Sequence, residues 1–305
     1  MNVHVDALQF SIIEDPQTAL SLFEKKELDW VGEPFGNIPL DAIPALKREK
    51  NLQIKTIGGL YWCKLNVQHP MLQTSKIRRA LAYAINRFDL TEHLLQGGET
   101  PAFSMVPPDI SMLASQPFRD HDVQTAKALL HEGLKELNMT EQTMPLITLT
   151  HSSDPRDKAI ASALQQQLTA NLGLPIQLAS CDFNTYLKKC MSGDFDMICM
   201  FWYTFYKDPT YNLESIKYKN SGFNGTGWEN NRFIALLDQA DQELNPARRN
   251  EHIKQAEMLV LEEMPIIPLY NHTYKYMKAP RIQNDYISPT GHLELKEVTI
   301  SDRAL

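Results

Sequence analysis

The sequence predicts an α/β fold, and three observations carry that prediction. Phe195 to Tyr203 is a nearly continuous apolar run, introduced by Gly193-Asp194 and closed by a turn at Asp208-Pro209. Such a run reads as a strand buried on both faces, as in a parallel or mixed sheet. Ile77, Ala80, Leu81, Ala84, Ile85 and Phe88 follow the i, i+3, i+4, i+7 spacing of an amphipathic helix. Strand-like and helix-like segments alternate along the whole chain, without repeats or low-complexity stretches.

Taken in order, Leu8 to Ile13 reads as a strand. Asp15-Pro16 is a helix cap followed by proline at the first helical position, and Ala19, Leu20 and Phe23 give that helix its apolar face. Leu28 to Val31 is a short strand, and Pro39 to Arg48 a short helix with Pro44 against it. Leu52 to Ile57 alternates like a half-buried strand; Gly58-Gly59 breaks it, and Leu60 to Asn66 resumes it. A glycine pair between strands is where a domain crossing is expected. The helix beginning after Thr74-Ser75 has a stop at Gly97-Gly98, then a proline-marked loop from Pro101 to Pro108 and a helix over Val123 to Leu137.

A βαβ-like unit follows: strand Leu146 to Thr150, cap Asp154-Pro155, a helix ended by Gly173, and strand Leu174 to Leu178. A helix from Phe183 to Met191 leads into the apolar strand. Ser215 to Trp228 is a loop without periodicity, and Gly222 to Gly227 within it reads as a flexible surface loop rather than a phosphate loop. Helices over Asn230 to Glu243 and Pro246 to Glu263, a strand over Ile266 to Tyr270 and a last strand over Leu293 to Ile300 complete the chain.

At 305 residues the chain is long enough for two domains. A net charge of -7 lacks the basic footprint of non-specific nucleic-acid binding, so no nucleic-acid partner is expected. No apolar run approaches the ~20 residues of a membrane span. No basic segment followed by an apolar one marks a signal peptide, which leaves a cytoplasmic protein or a chain lacking its natural start. The four cysteines form no C-x-x-C pair. Disulfides are compatible with an oxidising compartment; Cys190 and Cys199 are expected as buried or cleft-lining free thiols.

Catalytic signatures are missing: no G-x-S-x-G, H-E-x-x-H, Walker loop or G-x-G-x-x-G occurs. His151, Ser152 and Asp154 are triad residue types, but neighbours on one turn do not assemble as a triad, and they read as cap chemistry. No enzyme activity, cofactor or metal is therefore expected. The large rings are the stronger signal. Tyr61 and Trp62 lie beside the glycine pair, Trp202, Tyr203 and Phe205 at a strand end, and Tyr270 and His272 after the late strand. Ligands of open α/β sheets bind outside the carboxyl ends of strands, and aromatic walls suit small-ligand capture. The alternative is that these are ordinary core aromatics.

Several segments resemble one family. Lys76-Ile77-Arg78-Arg79-Ala80-Leu81-Ala82-Tyr83-Ala84-Ile85-Asn86-Arg87 is similar to a characteristic helix of the family 5 (OppA/DppA-like) peptide-binding proteins of bacterial ABC importers. Ala159 to Leu178, Gly193 to Asp196 through Trp202 to Asp208-Pro209, Glu262 to Tyr270, and Ala19 to Asp29 resemble further family segments, in the family's order. The resemblance implies a periplasmic-binding-protein type II-like fold corresponding to the C-terminal portion of longer members. Residues 1–58 would form part of a first lobe, 59–273 a complete ligand-binding second lobe, and 274–305 the return to the first lobe. It implies an extracytoplasmic, periplasmic or envelope-anchored receptor. That receptor would be monomeric, would capture oligopeptides or dipeptides by hinge closure, and would deliver them to a membrane permease. Ligand-binding roles would fall to Trp202, Tyr203, Phe205, Tyr61, Trp62, Tyr270 and His272.

Two departures affect specificity. Oligopeptide binders carry an acid shortly after the tryptophan, for the peptide's α-amino group; the matching position here is Phe205. Basic residues of some relatives fall near Cys190 and Cys199. Neither Phe nor Cys makes a buried charge pair. A truncated or non-peptide-binding homologue, or a hydrolase on an α/β scaffold, remains the alternative.

Overall fold

The computed structural model describes residues 3–301. The chain forms two compact units, Met1–Gly59 with Thr91–Glu99 and His272–Leu305, and Leu60–Leu90 with Thr100–Asn271. The division at Gly59 lies inside strand β2 (Gln53–Leu65), and that at Asn271 inside strand β7 (Ile266–Lys278). The glycine pair does not break β2: neither Gly58 nor Gly59 adopts positive φ, and the Gly58 N–H donates to the Pro289 carbonyl. Glycine permits a break but does not impose one.

In the first unit, helix α1 (Pro16–Glu24) starts from Asp15, whose carboxylate accepts from the Thr18 N–H. Strand β1 (Trp30–Gly32) pairs antiparallel with the end of β7, Trp30 opposite Lys278. Helix α2 (Ile43–Arg48) tolerates Pro44 because proline sits in its first turn. Leu20, Val31, Ile38, Ile43, Leu46 and Met277 form the core. The strand expected over Leu8 to Ile13 does not form; these residues are exposed, apart from half-buried Ile13, and have no ladder partner. Alternation specifies a strand only where a neighbour supplies the hydrogen bonds.

Residues 91–99 belong to this unit, so the span expected over 59–273 is interrupted. Buried ionic contacts bind the excursion. Glu99 pairs with Lys275, the Thr273 hydroxyl donates to the Gly97 carbonyl at 2.8 Å, and Lys275 lies 3.6 Å from Glu33. His272 meets Glu33 at 2.6 Å.

The second unit is a mixed sheet of order β7-β2-β6-β4-β5, with β3 (Thr100–Pro101) antiparallel to the start of β7. Strand β4 (Ile147–Ser152) is parallel to both β5 (Ile176–Cys181) and β6 (Met197–Tyr203). Helix α3 (Ser75–Ala84) ends before the expected Phe88. Ile85 is extended, and the Asn86 side chain accepts from the Asp89 N–H to open the single turn α4 (Arg87–Asp89). Phe88 is consequently exposed. Helix α5 (Val123–Glu136) packs against α3, with Gly133 against Ile77. Helix α6 (Pro155–Leu172) is capped by Asp154 and ended by Gly173 at φ 67°. Helices α7 (Phe183–Ser192), α8 (Pro209–Glu214), α9 (Asn231–Gln242) and α10 (Pro246–Glu263) follow. Leu60, Trp62, Leu213, Phe233, Leu237 and Val260 are among the buried core.

Cys199 is not a free thiol. It is joined to Cys63 across the neighbouring strands β6 and β2. Cys190 is free and buried, its thiol pushed up to about 11 chiefly by burial. Spacing along the chain is blind to such cross-strand neighbours, which are set by register. No helix among the described residues is long and apolar enough to cross a membrane.

Candidate functional site

Strand β6 is buried over Met197 to Cys199 and opens over Met200 to Tyr203. Beyond it, Thr204 turns inward while Phe205 and Tyr206 are exposed by 53% and 50%. Asp208 then stops the chain and caps α8, accepting from the Thr210 N–H at 3.0 Å and the Thr210 hydroxyl at 2.7 Å. Its carboxylate also meets Arg249 at 2.8 Å. Burial pushes the Asp208 carboxyl up, but Thr210 and Arg249 outweigh it and leave the pKa lowered. Asp208 is thus a structural anion, already satisfied.

The turn brings rings together. Trp202 stands 5.9 Å from Tyr211 and 5.6 Å from Phe223, centroid to centroid. Tyr203 stacks with Phe205 at 6.3 Å, and Tyr211 meets Phe205 at 5.8 Å and Tyr206 at 4.8 Å. Offset and edge-to-face ring pairs of this kind hold shape while keeping faces open. Burial raises the Tyr206 and Tyr211 phenols above their usual values, helped at Tyr206 by the carboxylates of Glu214, Asp208 and Asp241 and at Tyr211 by the Tyr206 phenol. Both are neutral donors at physiological pH. The patch offers flat apolar faces and phenol hydroxyls, which is the chemistry of ligand capture.

The other candidate residues lie elsewhere. Trp62 stacks on Trp202 at 5.5 Å but is wholly buried in the core. Tyr61 and Tyr270 stack on each other at 5.1 Å and are also buried. The Tyr61 hydroxyl donates to Asp157 at 3.0 Å, and the Ser152 hydroxyl donates to the same carboxylate at 2.6 Å. His272 belongs to the first unit, against Glu33. The structure therefore gathers Trp202, Tyr203 and Phe205, adds Tyr206, Tyr211 and Phe223, sets Trp62 against Trp202, and buries Tyr61 and Tyr270 as a separate stacked pair. Tyr211 had a readable signal, since it lies in the first turn of a helix opened by Asp208-Pro209.

Phe223 was hidden by its glycine-rich surroundings. The loop is not loose. Asn224, fully buried, donates to the carbonyls of Ile216, Tyr218 and Trp228 and accepts from the Thr226 N–H and hydroxyl. Gly225, at φ 64°, lets the loop touch α7: a Cβ there would stand 2.4 Å from the Cys190 carbonyl oxygen. The buried Lys64 ammonium donates to the Phe223 carbonyl, no carboxylate pairs with it among the described residues, and burial lowers its pKa to about 8. Among the described residues, no group of three or more His, Cys, Asp or Glu is placed to hold a metal ion.

Comparison with known proteins agrees with this architecture. Residues 1–224 match the family described as bacterial extracellular solute-binding proteins, family 5. The chain is 34% identical over 295 residues to the oligopeptide-binding protein OppA of Bacillus subtilis, covering 95% of this chain and 54% of that protein. It is 30% identical to the dipeptide-binding protein DppE of the same organism, over 96% of this chain and 54% of the relative. The crystal structure of a periplasmic oligopeptide-binding protein, OppAIV of Borrelia burgdorferi, superposes with a TM-score of 0.89 at 25% identity. That match covers 98% of this chain and 59% of the other. The chain thus spans about half the length of the curated relatives it matches. It belongs to the family 5 bacterial extracellular solute-binding proteins.

Proposed function

We propose that this chain serves as an extracytoplasmic, non-enzymatic receptor that captures short peptides and passes them to the membrane permease of an ABC importer. It would act as a monomer, in the periplasm or anchored at the cell envelope. The observation that carries the reading is the open ring patch at the end of β6, in a member of a solute-binding family. An extended peptide would lay side chains against Trp202, Tyr203 and Phe205, while its backbone finds hydrogen bonds from phenols and chain ends. Two relatives, an oligopeptide-binding and a dipeptide-binding protein, support the same ligand class.

Calorimetric titration of the 305-residue chain with di- to pentapeptides of alanine and leucine tests the proposal. Saturable binding is expected, and Trp202→Ala should cost ~2 kcal/mol, about a thirtyfold loss, as removal of an interface tryptophan does. Binding of none of these peptides would overturn peptide capture. Unchanged affinity in Trp202→Ala would move the site away from β6.

A further inference from the structure

We infer that the buried amide of Asn212 is a positioning residue for the ring patch, fixing three ligand-facing segments in one register. The inference rests on the reading of that patch as the peptide site. Asn212 is fully buried on α8, next to Tyr211. Its Oδ1 accepts from the Thr204 hydroxyl at 2.9 Å, and its Nδ2 donates to the Met105 carbonyl at 2.6 Å. One side chain therefore bridges the exit of β6, the helix that carries Tyr211, and the 102–112 loop.

Each bridged segment needs the help. Helix α8 has six residues, too short to be stable alone. The segment leaving β6 carries Tyr203, Phe205 and Tyr206, while its Thr204 is buried against Asn212. The 102–112 loop has no regular structure; its base is pinned by Glu257, fully buried, which accepts from the hydroxyls of Ser104 and Ser111 and the Met112 N–H. At its tip Asp109 reaches Lys207, just past Tyr206, at 3.3 Å across an exposed pair. Exposed pairs contribute little; Asn212 supplies a buried polar joint between loop and rings, beside the apolar packing of Met105, Val106, Ile110 and Met112 in the cluster that Trp202 joins. Both bonds of the amide are directional, so a shift of any segment leaves a buried donor or acceptor unpaired.

Thr204→Val keeps the shape at the joint and removes the hydroxyl donor; Thr204→Ser keeps the donor. The probe is tri-leucine, titrated into the 305-residue chain. Thr204→Val should weaken binding about tenfold, the scale expected when one buried polar partner is lost, and Thr204→Ser should bind within about twofold of the unaltered chain. Thr204→Val and Tyr211→Ala should be non-additive, because the joint acts through Tyr211. A ligand-free readout accompanies these: the ¹⁹F resonance of 3-fluorotyrosine at Tyr211, assigned with Tyr211→Phe. It should move in Thr204→Val and stay in Thr204→Ser. An unmoved resonance, or additive losses, would overturn the positioning role while peptide capture stands. Failure of the unaltered chain to bind tri-leucine counts against peptide capture, and the resonance still decides the role of the joint.

Discussion

Two sets of rings in the second unit behave oppositely. Tyr61, Trp62 and Tyr270 are closed in: none is more than 1% exposed. Trp202, Tyr203, Phe205, Tyr206 and Tyr211 are at least partly open to solvent. The sets meet where Trp62 stacks on Trp202. The lower ring is a foundation and the upper one a surface. The same residue type thus supplies buried packing on β2 and an open ring face on β6, and depth in the sheet decides which.

The largest test of that contrast is Trp62→Ala. It removes a wholly buried ring and should destabilise the fold by about 3–5 kcal/mol. Denaturant unfolding, compared with the same measurement on Trp202→Ala, gives the answer. The Trp202 change should cost stability far less, because its ring is already partly in water. Equal losses would erase the distinction between foundation and surface.

How much of this was legible in the sequence follows the same line. Capping chemistry was plain: Asp15, Asp154 and Asn245 open helices where Asp-Pro and Asn-Pro stand in the chain. The apolar strand and its exposed end were readable because β6 loses its burial within seven residues. Depth was not readable at Tyr61 and Trp62. A strand with rings at its end looks the same whether helices cover it or solvent does. The Cys63–Cys199 bond escaped for a related reason, since 136 residues separate partners that only strand register brings together. The tightly bonded loop at Asn224 was masked by glycines, which signal freedom in isolation but here permit close approach to α7.

Lys64 gives the second test. It lies two residues beyond Trp62 on β2, hence on the same face of the strand. Among the described residues its ammonium is buried without a carboxylate, whereas Lys275 in the first unit has Glu99 and Glu33. The lowered pKa of about 8 fixes the sign. Below that pH the folded state holds a charged group that the unfolded chain hydrates more cheaply, so the cost is fully present. It vanishes as the pH climbs from about 8 toward the ordinary lysine value, and stability rises over that window. Lys64→Met should therefore gain about 2 kcal/mol at pH 7, allowing for the lost bond to Phe223. The gain should disappear near pH 10. Thermal unfolding at both pH values measures it, and a loss at pH 7 would mean that the ammonium is compensated from a direction the foundation does not reveal.

The smallest expected effect concerns the surface set alone. Phe205 is more than half exposed and stands where peptide-binding relatives are expected to carry an acid. Its neighbours are Tyr203 and Tyr211, and Asp208 beyond it is committed to Thr210 and Arg249. A new carboxylate at this position would remain hydrated, so Phe205→Asp should leave stability within about 0.5 kcal/mol, as surface changes do. Its effect on recognition is limited by the same exposure. A solvent-screened ion pair contributes ~0.2–1 kcal/mol, so preference for free-amine tri-leucine over its N-acetylated form should rise at most about fivefold. Paired titrations of the two peptides into both chains, repeated at high salt, check the size and the electrostatic origin. A shift that survives high salt undiminished would place the new carboxylate in a far drier setting than an open ring face provides. No shift at all would mean that the peptide amino group lies away from Phe205, and that the rings there receive side chains instead.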